Sequence, residues 1–339
     1  YDGFRKVIAK EFNELYIIDT KGNARTTGER RRKEGGNIFS DEIRVGIAVY
    51  FLVRSEKAEG FKIYYNAIKD YANADEKKSY FNSQKFKDLD FAHVKPDDKY
   101  NWINLTDNDF DSLLPLANKD TKLAKTNADD KAIFKLFSNG IVTARDEWLY
   151  DFNFDNLIKK ISHFFAIYQK IHHQLSQDLV ISDELKEQIK LTSELEEYLR
   201  KGGKFQFDSL CIVSSLYRPF TKQYVYFYKK IIHRLYQMEQ IFPLQKNNIA
   251  ICLTCHKQVP FVAQVTNQVY DYGYGSRDTQ CLPLYRYDKE GNRIDNITDW
   301  GLKQIQTHYQ DETITKIDIF HYTYAVLHNP AYRTKYELN

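Results

Sequence analysis

Nine consecutive residues, Val45-Gly46-Ile47-Ala48-Val49-Tyr50-Phe51-Leu52-Val53, carry neither a charge nor an amide side chain. Successive residues of a strand point to opposite faces, so a run apolar in both sets predicts a strand inside a sheet covered on both sides. Ahead of it, Phe4, Val7, Ile8, Phe12 and Leu15 follow helical spacing and Leu15-Tyr16-Ile17-Ile18 is a short apolar run. The order is therefore helix, strand, a polar loop opening at Gly22-Asn23, and strand. One helix and two strands cannot bury a doubly covered sheet, and the chain begins at Tyr1 without an initiator Met. Residues 1–60 are expected to be the edge of a larger α/β sheet, with residue 1 a truncation point and the rest of the sheet upstream.

Beyond residue 60 the pattern changes. Residues 61–135 alternate short aromatic runs with charged, Asn- and Asp-rich stretches, with turns at Pro96-Asp97-Asp98 and Leu114-Pro115, a linking subregion at the head of a second domain, 61–339. Asp155 to His172 sets Leu157, Ile158, Ile161, Phe164, Phe165 and Tyr168 at helical intervals. Ser182 to Arg200 predicts another helix, with Ser182 as N-cap and Gly202-Gly203 as its stop, and the two form a helical arm. Short strands follow around Leu210-Val213, Tyr224-Tyr228, Ile249-Leu253 and Leu282-Tyr287, with a hairpin turn at Asp288 to Asn292. Helices are expected over Trp300 to Tyr309 and Lys316 to His328. The fold class is α+β: the edge of an α/β sheet, then a mixed α+β domain with a helical arm.

Charge and composition narrow the chemistry. Forty-nine basic against forty-six acidic residues leave +3, so a polyanion site must come from local clustering, and the largest cluster is Arg25, Arg30, Arg31, Arg32 and Lys33. No stretch approaches ~18 uncharged apolar residues and the N-terminus is no signal peptide, which predicts a cytoplasmic protein with no membrane partner. Four cysteines are too few for a disulfide scaffold at this size and are expected to stay thiols. With 14 glycines in 339 residues, glycine-rich phosphate loops and nucleotide hydrolysis are not expected; Tyr272-Gly273-Tyr274-Gly275-Ser276 is too weak a pattern to imply one. Cys252-Leu253-Thr254-Cys255-His256 suggests zinc, but a tetrahedral site needs four ligands and no second pair lies at suitable spacing, so buried strand thiols are the better reading.

The C-terminal block Asp318-Ile319-Phe320-His321-Tyr322-Thr323-Tyr324-Ala325-Val326-Leu327-His328-Asn329-Pro330-Ala331-Tyr332-Arg333 resembles that of the Type ISP restriction-modification enzymes. Four further blocks agree in order: 138–148 (Ser-Asn-Gly-Ile-Val-Thr-Ala-Arg-Asp-Glu-Trp), 217–223 (Tyr-Arg-Pro-Phe-Thr-Lys-Gln), 280–285 and 296–300. Asp2 to Lys6, Tyr16 to Asn23 and Asn37-Ile38-Phe39 are similar to the end of that family's adenine methyltransferase domain, with Thr20 and Lys21 departing from its usual residues. The resemblance implies that 1–60 closes a Rossmann-like methyltransferase sheet and that 61–339 is a target-recognition domain for double-stranded DNA. It also implies upstream methyltransferase, translocase and nuclease domains in a parent that methylates adenine with S-adenosylmethionine and cleaves unmodified DNA using ATP with Mg. No cofactor is expected on this chain, and no catalytic residue or metal. Asn329-Pro330-Ala331-Tyr332 differs by one residue from the family's catalytic tetrapeptide, but it follows a helical pattern, and the proline reads as a helix-ending residue.

Candidate contacts follow. Arg145 and Arg218 could read guanine or clamp phosphate, or equally hold a carboxylate such as Asp146 in the fold. Lys222, Gln223, Lys257, Arg277 and Arg286 lie in or beside loops, as DNA-contact candidates or solvated surface groups. Arg25, Arg30, Arg31, Arg32 and Lys33 occupy a loop between two strands that the family places beside its DNA cleft. Phe39 matches the aromatic residue that stacks on an extruded target base, or packs under Gly35-Gly36. The alternative to DNA recognition is a non-catalytic module binding a partner subunit or another domain of its parent.

Overall fold

The computed structural model describes residues 2–26, 28–97, 100–103, 108–177, 180–254, 261–275 and 278–337. Asp98, Cys255, His256, Lys257, Ser276 and Arg277 lie outside the described residues. The chain divides into two compact units, Tyr1–Asp111 with Arg333–Asn339, and Ser112–Tyr332.

The first unit comprises α1 (Asp2–Glu11), β1 (Glu14–Asp19), α2 (Gly28–Glu34), β2 (Ala48–Val53), β3 (Lys62–Ala67), α3 (Ala74–Ser83) and β4 (Ala92–Val94). Its sheet runs β2-β1-β3-β4, antiparallel except for the parallel β1–β3 pair. Alternation along β1 sends Leu15 and Ile17 to one face, where they meet Ile8 of α1, Ile63 and Trp102. Burying each aliphatic side chain contributes roughly 1.5–3 kcal/mol. On the opposite face Tyr16 stacks on Tyr64 at 4.7 Å and meets Phe86 and Phe91 edge-on.

Two sequence expectations are corrected here. β2 is an edge strand whose Tyr50, Phe51, Leu52 and Val53 are exposed, so its two apolar faces do not reflect double coverage; it is β1 that is buried on both. The boundary falls after Asp111 instead of residue 60, because β3 pairs with β1 over six residues and residues 61–111 complete the same sheet. The sheet is mixed and four-stranded.

The second unit begins with α4 (Lys119–Leu123), β5 (Ser138–Asn139), α5 (Asp146–Leu149) and β6 (Tyr150–Asp151). The helical arm follows as α6 (Phe154–Ser176), α7 (Asp183–Gln188) and α8 (Ser193–Arg200). The strands are β7 (Ile212–Arg218), β8 (Thr221–Tyr226), β9 (Ala250–Thr254), β10 (Ala263–Thr266), β11 (Val269–Tyr270), β12 (Thr279–Pro283), β13 (Tyr285–Tyr287) and β14 (Arg293–Asp295), with α9 (Met238–Ile241) between β8 and β9. Helices α10 (Asp299–Tyr309), α11 (Lys316–His328) and α12 (Pro330–Lys335) close the chain. Two four-stranded sheets, β11-β7-β8-β6 and β10-β9-β12-β5, stand beside a β13-β14 ribbon.

α6 lays Leu157, Ile161 and Phe164 into a core shared with Val225 and Tyr226 of β8, and α11 inserts Ile319 and Phe320 among Phe134, Ile251 and Leu282. Ser182 caps α7 as expected, but the single helix predicted over 182–200 is two, because Lys190 takes the left-handed conformation (φ 48°) and the chain restarts at the N-cap Thr192. Pro330 ends α11 and also opens α12, where its missing N–H costs nothing, while Asn329 Oδ1 accepts from the N–H groups of Ala331 and Tyr332. Cys252 and Cys281 face each other across β9 and β12, and burial raises both thiols, Cys281 to about 12. Among the described residues no helix is long and apolar enough to cross a membrane, and no three His, Cys, Asp or Glu side chains cluster as metal ligands.

Candidate nucleic-acid interface

In the first unit Arg30, Arg31, Arg32 and Lys33 of the basic cluster lie on a short helix, α2, and not in the loop expected from the charge run, while Arg25 stays in the turn before it. Its end is fixed by α3 and the turn that leads into it. The buried Lys77 ammonium donates to the carbonyls of Glu34 (2.8 Å) and Gly36 (2.7 Å), and desolvation lowers its pKa. Gly35, at φ 65°, sits so close to Ala72 that a Cβ would lie 2.0 Å from the Ala72 carbonyl oxygen, so only glycine closes this turn. No α2 side chain is buried. Arg31 donates to the Gly35 carbonyl (2.7 Å) and Arg32 pairs with Glu29 (3.3 Å), whereas Arg25, Arg30 and Lys33 are exposed with no ion pair among the described residues. Phe39 is 70% exposed and therefore does not pack under Gly35-Gly36; its N–H is held by Asn37 Oδ1, and the buried Asn37 donates in turn to the Val45 carbonyl.

In the second unit the candidates separate. Arg145 is 1% exposed and belongs to the fold: Nη1 donates to the Ile231 carbonyl and Nη2 to that of Lys190 at 2.9 Å. It is corrected from a possible DNA contact to an internal strut. Arg286 is half-buried in β13, its Nε shielded from solvent. Lys222 is exposed and Gln223 half-buried, both on β8.

Arg218 stands at the end of β7 with its side chain 42% exposed, over the Tyr217 ring at 3.9 Å and paired to Asp271 at 2.6 Å. Asp271 also accepts from the Gly273 N–H (2.8 Å). Burial raises its carboxyl above the ordinary range, opposed by the Gly273 N–H and by Arg218. Gly140 makes this placement possible, since a Cβ there would lie 2.6 Å from the Asp271 carbonyl carbon. Next to it on β7 the Tyr217 hydroxyl donates to Asp146 at 2.9 Å. Two consecutive residues at the end of β7 are thus tied to carboxylates.

The tip of that hairpin, Pro219-Phe220, was overlooked in favour of its charged neighbours. Phe220 is 92% exposed at φ 60°. The signal lay within the 217–223 block: proline presets the first central position of a turn whose second demands positive φ, and an aromatic stands where glycine or asparagine belongs. Behind the tip lies a groove of about 570 Å³, lined by Phe220, Lys222, Gln264, Asn267, Gln268 and Tyr324 among others.

Comparison with known proteins gives the frame for these features. Residues 132–339 match the Type ISP C-terminal specificity domain. The cryoEM structure of a DrdV–DNA complex is similar over 100% of this chain and 33% of that one, with 44% identity and a TM-score of 0.83. A nuclease-deletion mutant of the Type ISP restriction-modification enzyme LlaGI, in complex with a DNA substrate mimic, is similar over 99% of this chain and 31% of that one (28% identity, TM-score 0.75). The ATP-dependent Type ISP enzyme LlaBIII bound to DNA shares the fold over 99% of this chain and 22% of that one (23% identity, TM-score 0.79). This chain therefore spans about a third or less of each. No curated protein matches it. By the match over its last 208 residues, the chain belongs to the Type ISP C-terminal specificity domain family.

Proposed function

We propose that this chain recognises double-stranded DNA in a sequence-dependent way, as the specificity part of a restriction-modification enzyme. The observation that carries the reading is the whole-chain similarity, at 44% identity, to DrdV in complex with DNA. The larger parent, in this reading, acts in the cytoplasm, transfers a methyl group from S-adenosylmethionine to an adenine amine and cleaves unmodified DNA. S-adenosylmethionine, and ATP with Mg, belong to upstream methyltransferase, translocase and nuclease domains. The β2-β1-β3-β4 sheet of the first unit then joins a Rossmann-like methyltransferase sheet, and Phe39, already facing solvent, stacks on the extruded adenine. The unpaired cations Arg25, Arg30 and Lys33 are suited to phosphates, and Lys222, Gln223 and the exposed side of Arg218 to phosphate or base edges.

A selection from a randomised 30-base-pair duplex library tests this, with affinity followed against salt. The expected result is retention at low salt, an enriched sequence and a steep salt slope. Neutralising Arg25, Arg30 and Lys33 together should lower affinity for all sequences alike and flatten the slope by about one per lost phosphate contact. Absence of retention at low salt would replace this reading with that of a module binding a partner subunit or another domain of its parent.

A further inference from the structure

We propose that Phe220 is a wedge that enters the base stack of duplex DNA, carried on the β7–β8 hairpin; the inference rests on the DNA-recognition reading above. Two unfavourable features coincide at this residue. A phenyl ring 92% exposed forfeits the burial that aromatic side chains ordinarily gain, and φ 60° is a conformation that side-chain-bearing residues other than Asn and Asp rarely hold. Glycine at the second turn position would remove both. Backbone strain retained where a simpler residue would relieve it points to function.

The surroundings suit a wedge. A side chain that is to separate stacked bases must not fold back, and the β7 arm leading into the turn is braced at two consecutive residues, by Tyr217 on Asp146 (2.9 Å) and Arg218 on Asp271 (2.6 Å). A bulge between Leu216 and Arg218 breaks the ladder just before the turn and adds local twist. Lys222 is exposed two residues from Phe220, where an ammonium can meet the phosphate flanking an opened step. The groove behind is lined by Gln264 and Asn267 together with Leu216, Ile249 and Val265. A fully exposed apolar tip beside an exposed cation matches a stack of aromatic bases bordered by phosphates. Apolar side chains inserted in this way unstack a step and kink the duplex, so the cost of deforming each sequence contributes to selectivity.

The test uses the full 339-residue chain. Duplexes retained from the randomised library are remade with 2-aminopurine at successive positions. Wild type is expected to raise the fluorescence severalfold at one step. Phe220→Ala should abolish that rise and weaken binding to the selected duplex tenfold or more, leaving affinity for random duplex and the salt slope unchanged. Phe220→Leu should keep most of the rise. Phe220→Gly should melt no lower than wild type yet give no rise, which separates a wedge from a residue that merely shapes the turn. If wild type retains duplex but no position brightens, or if Phe220→Ala brightens as wild type does, the wedge is overturned while DNA recognition stands. If wild type retains no duplex at low salt, the DNA reading itself has failed and the wedge fails with it.

Discussion

Two backbone carbonyls, those of Lys190 and Ile231, take their donors from the Arg145 guanidinium. Lys190 lies in the break between α7 and α8 and Ile231 follows β8, so one side chain holds the arm against the sheet. Desolvation lowers the Arg145 pKa, opposed by Glu147 and Glu194, but the group keeps its charge at any physiological pH. Arg145→Met is expected to strand both acceptors and cost about 2–6 kcal/mol, since each buried unsatisfied group costs about 1–3 kcal/mol. Urea titration measures the loss. Because Arg145 reaches no surface, the folded fraction of the variant should bind duplex DNA with the wild-type salt slope. Arg145 and Arg218 look alike in the sequence, each in a family-like block with aromatic residues close by. Burial separates them, and burial is set by partners 45 to 86 residues away in the chain.

Among the elements, those with a strong local period were legible: α6, α10 and α11 fall within a few residues of their expected bounds because their apolar faces recur every three to four residues. The break between α7 and α8 was not, because Lys190 carries no glycine-like mark of its left-handed backbone. The sheet of the first unit was legible only in part, since β3 joins it through pairing with β1, some 48 residues earlier in the chain, and not through any feature of 62–67 alone. The end of α12 supplies an element whose attachment depends on pH. Lys335 pairs with Asp109 at 2.6 Å and the Tyr336 hydroxyl donates to the same carboxylate at 2.7 Å. Lys335, then Tyr336, hold that carboxyl down at about 2, and Asp109 raises the Lys335 ammonium. A depressed carboxyl stabilises above its unfolded value and loses that contribution as pH falls through the folded one; a raised ammonium does so below its unfolded value and loses it as pH rises through the folded one. The attachment should therefore hold from the ordinary carboxylate range up to the ordinary lysine range and release as pH falls toward 2. Hydrogen exchange of residues 333–337 across that range measures it, and Asp109→Asn should remove the acid limb of the profile.

For the whole molecule, a net charge of +3 spread over 339 residues gives little long-range repulsion between copies. What keeps copies apart must then be local, and the outer edge of β2 offers no such protection. Tyr50, Phe51, Leu52 and Val53 are exposed, no described strand covers their N–H and C=O groups, and neither lysine nor proline interrupts the strand. Natural sheets usually blunt such an edge. In a concentrated solution of this chain alone, two β2 strands can join edge to edge and continue each other's sheet. Light scattering should show oligomers growing with concentration, enriched in β-structure by infrared absorption, and Tyr50→Lys should slow that growth without lowering the melting temperature. Shelf life at high concentration would thus be set by six residues, Ala48–Val53, whatever the strength of the core beneath them.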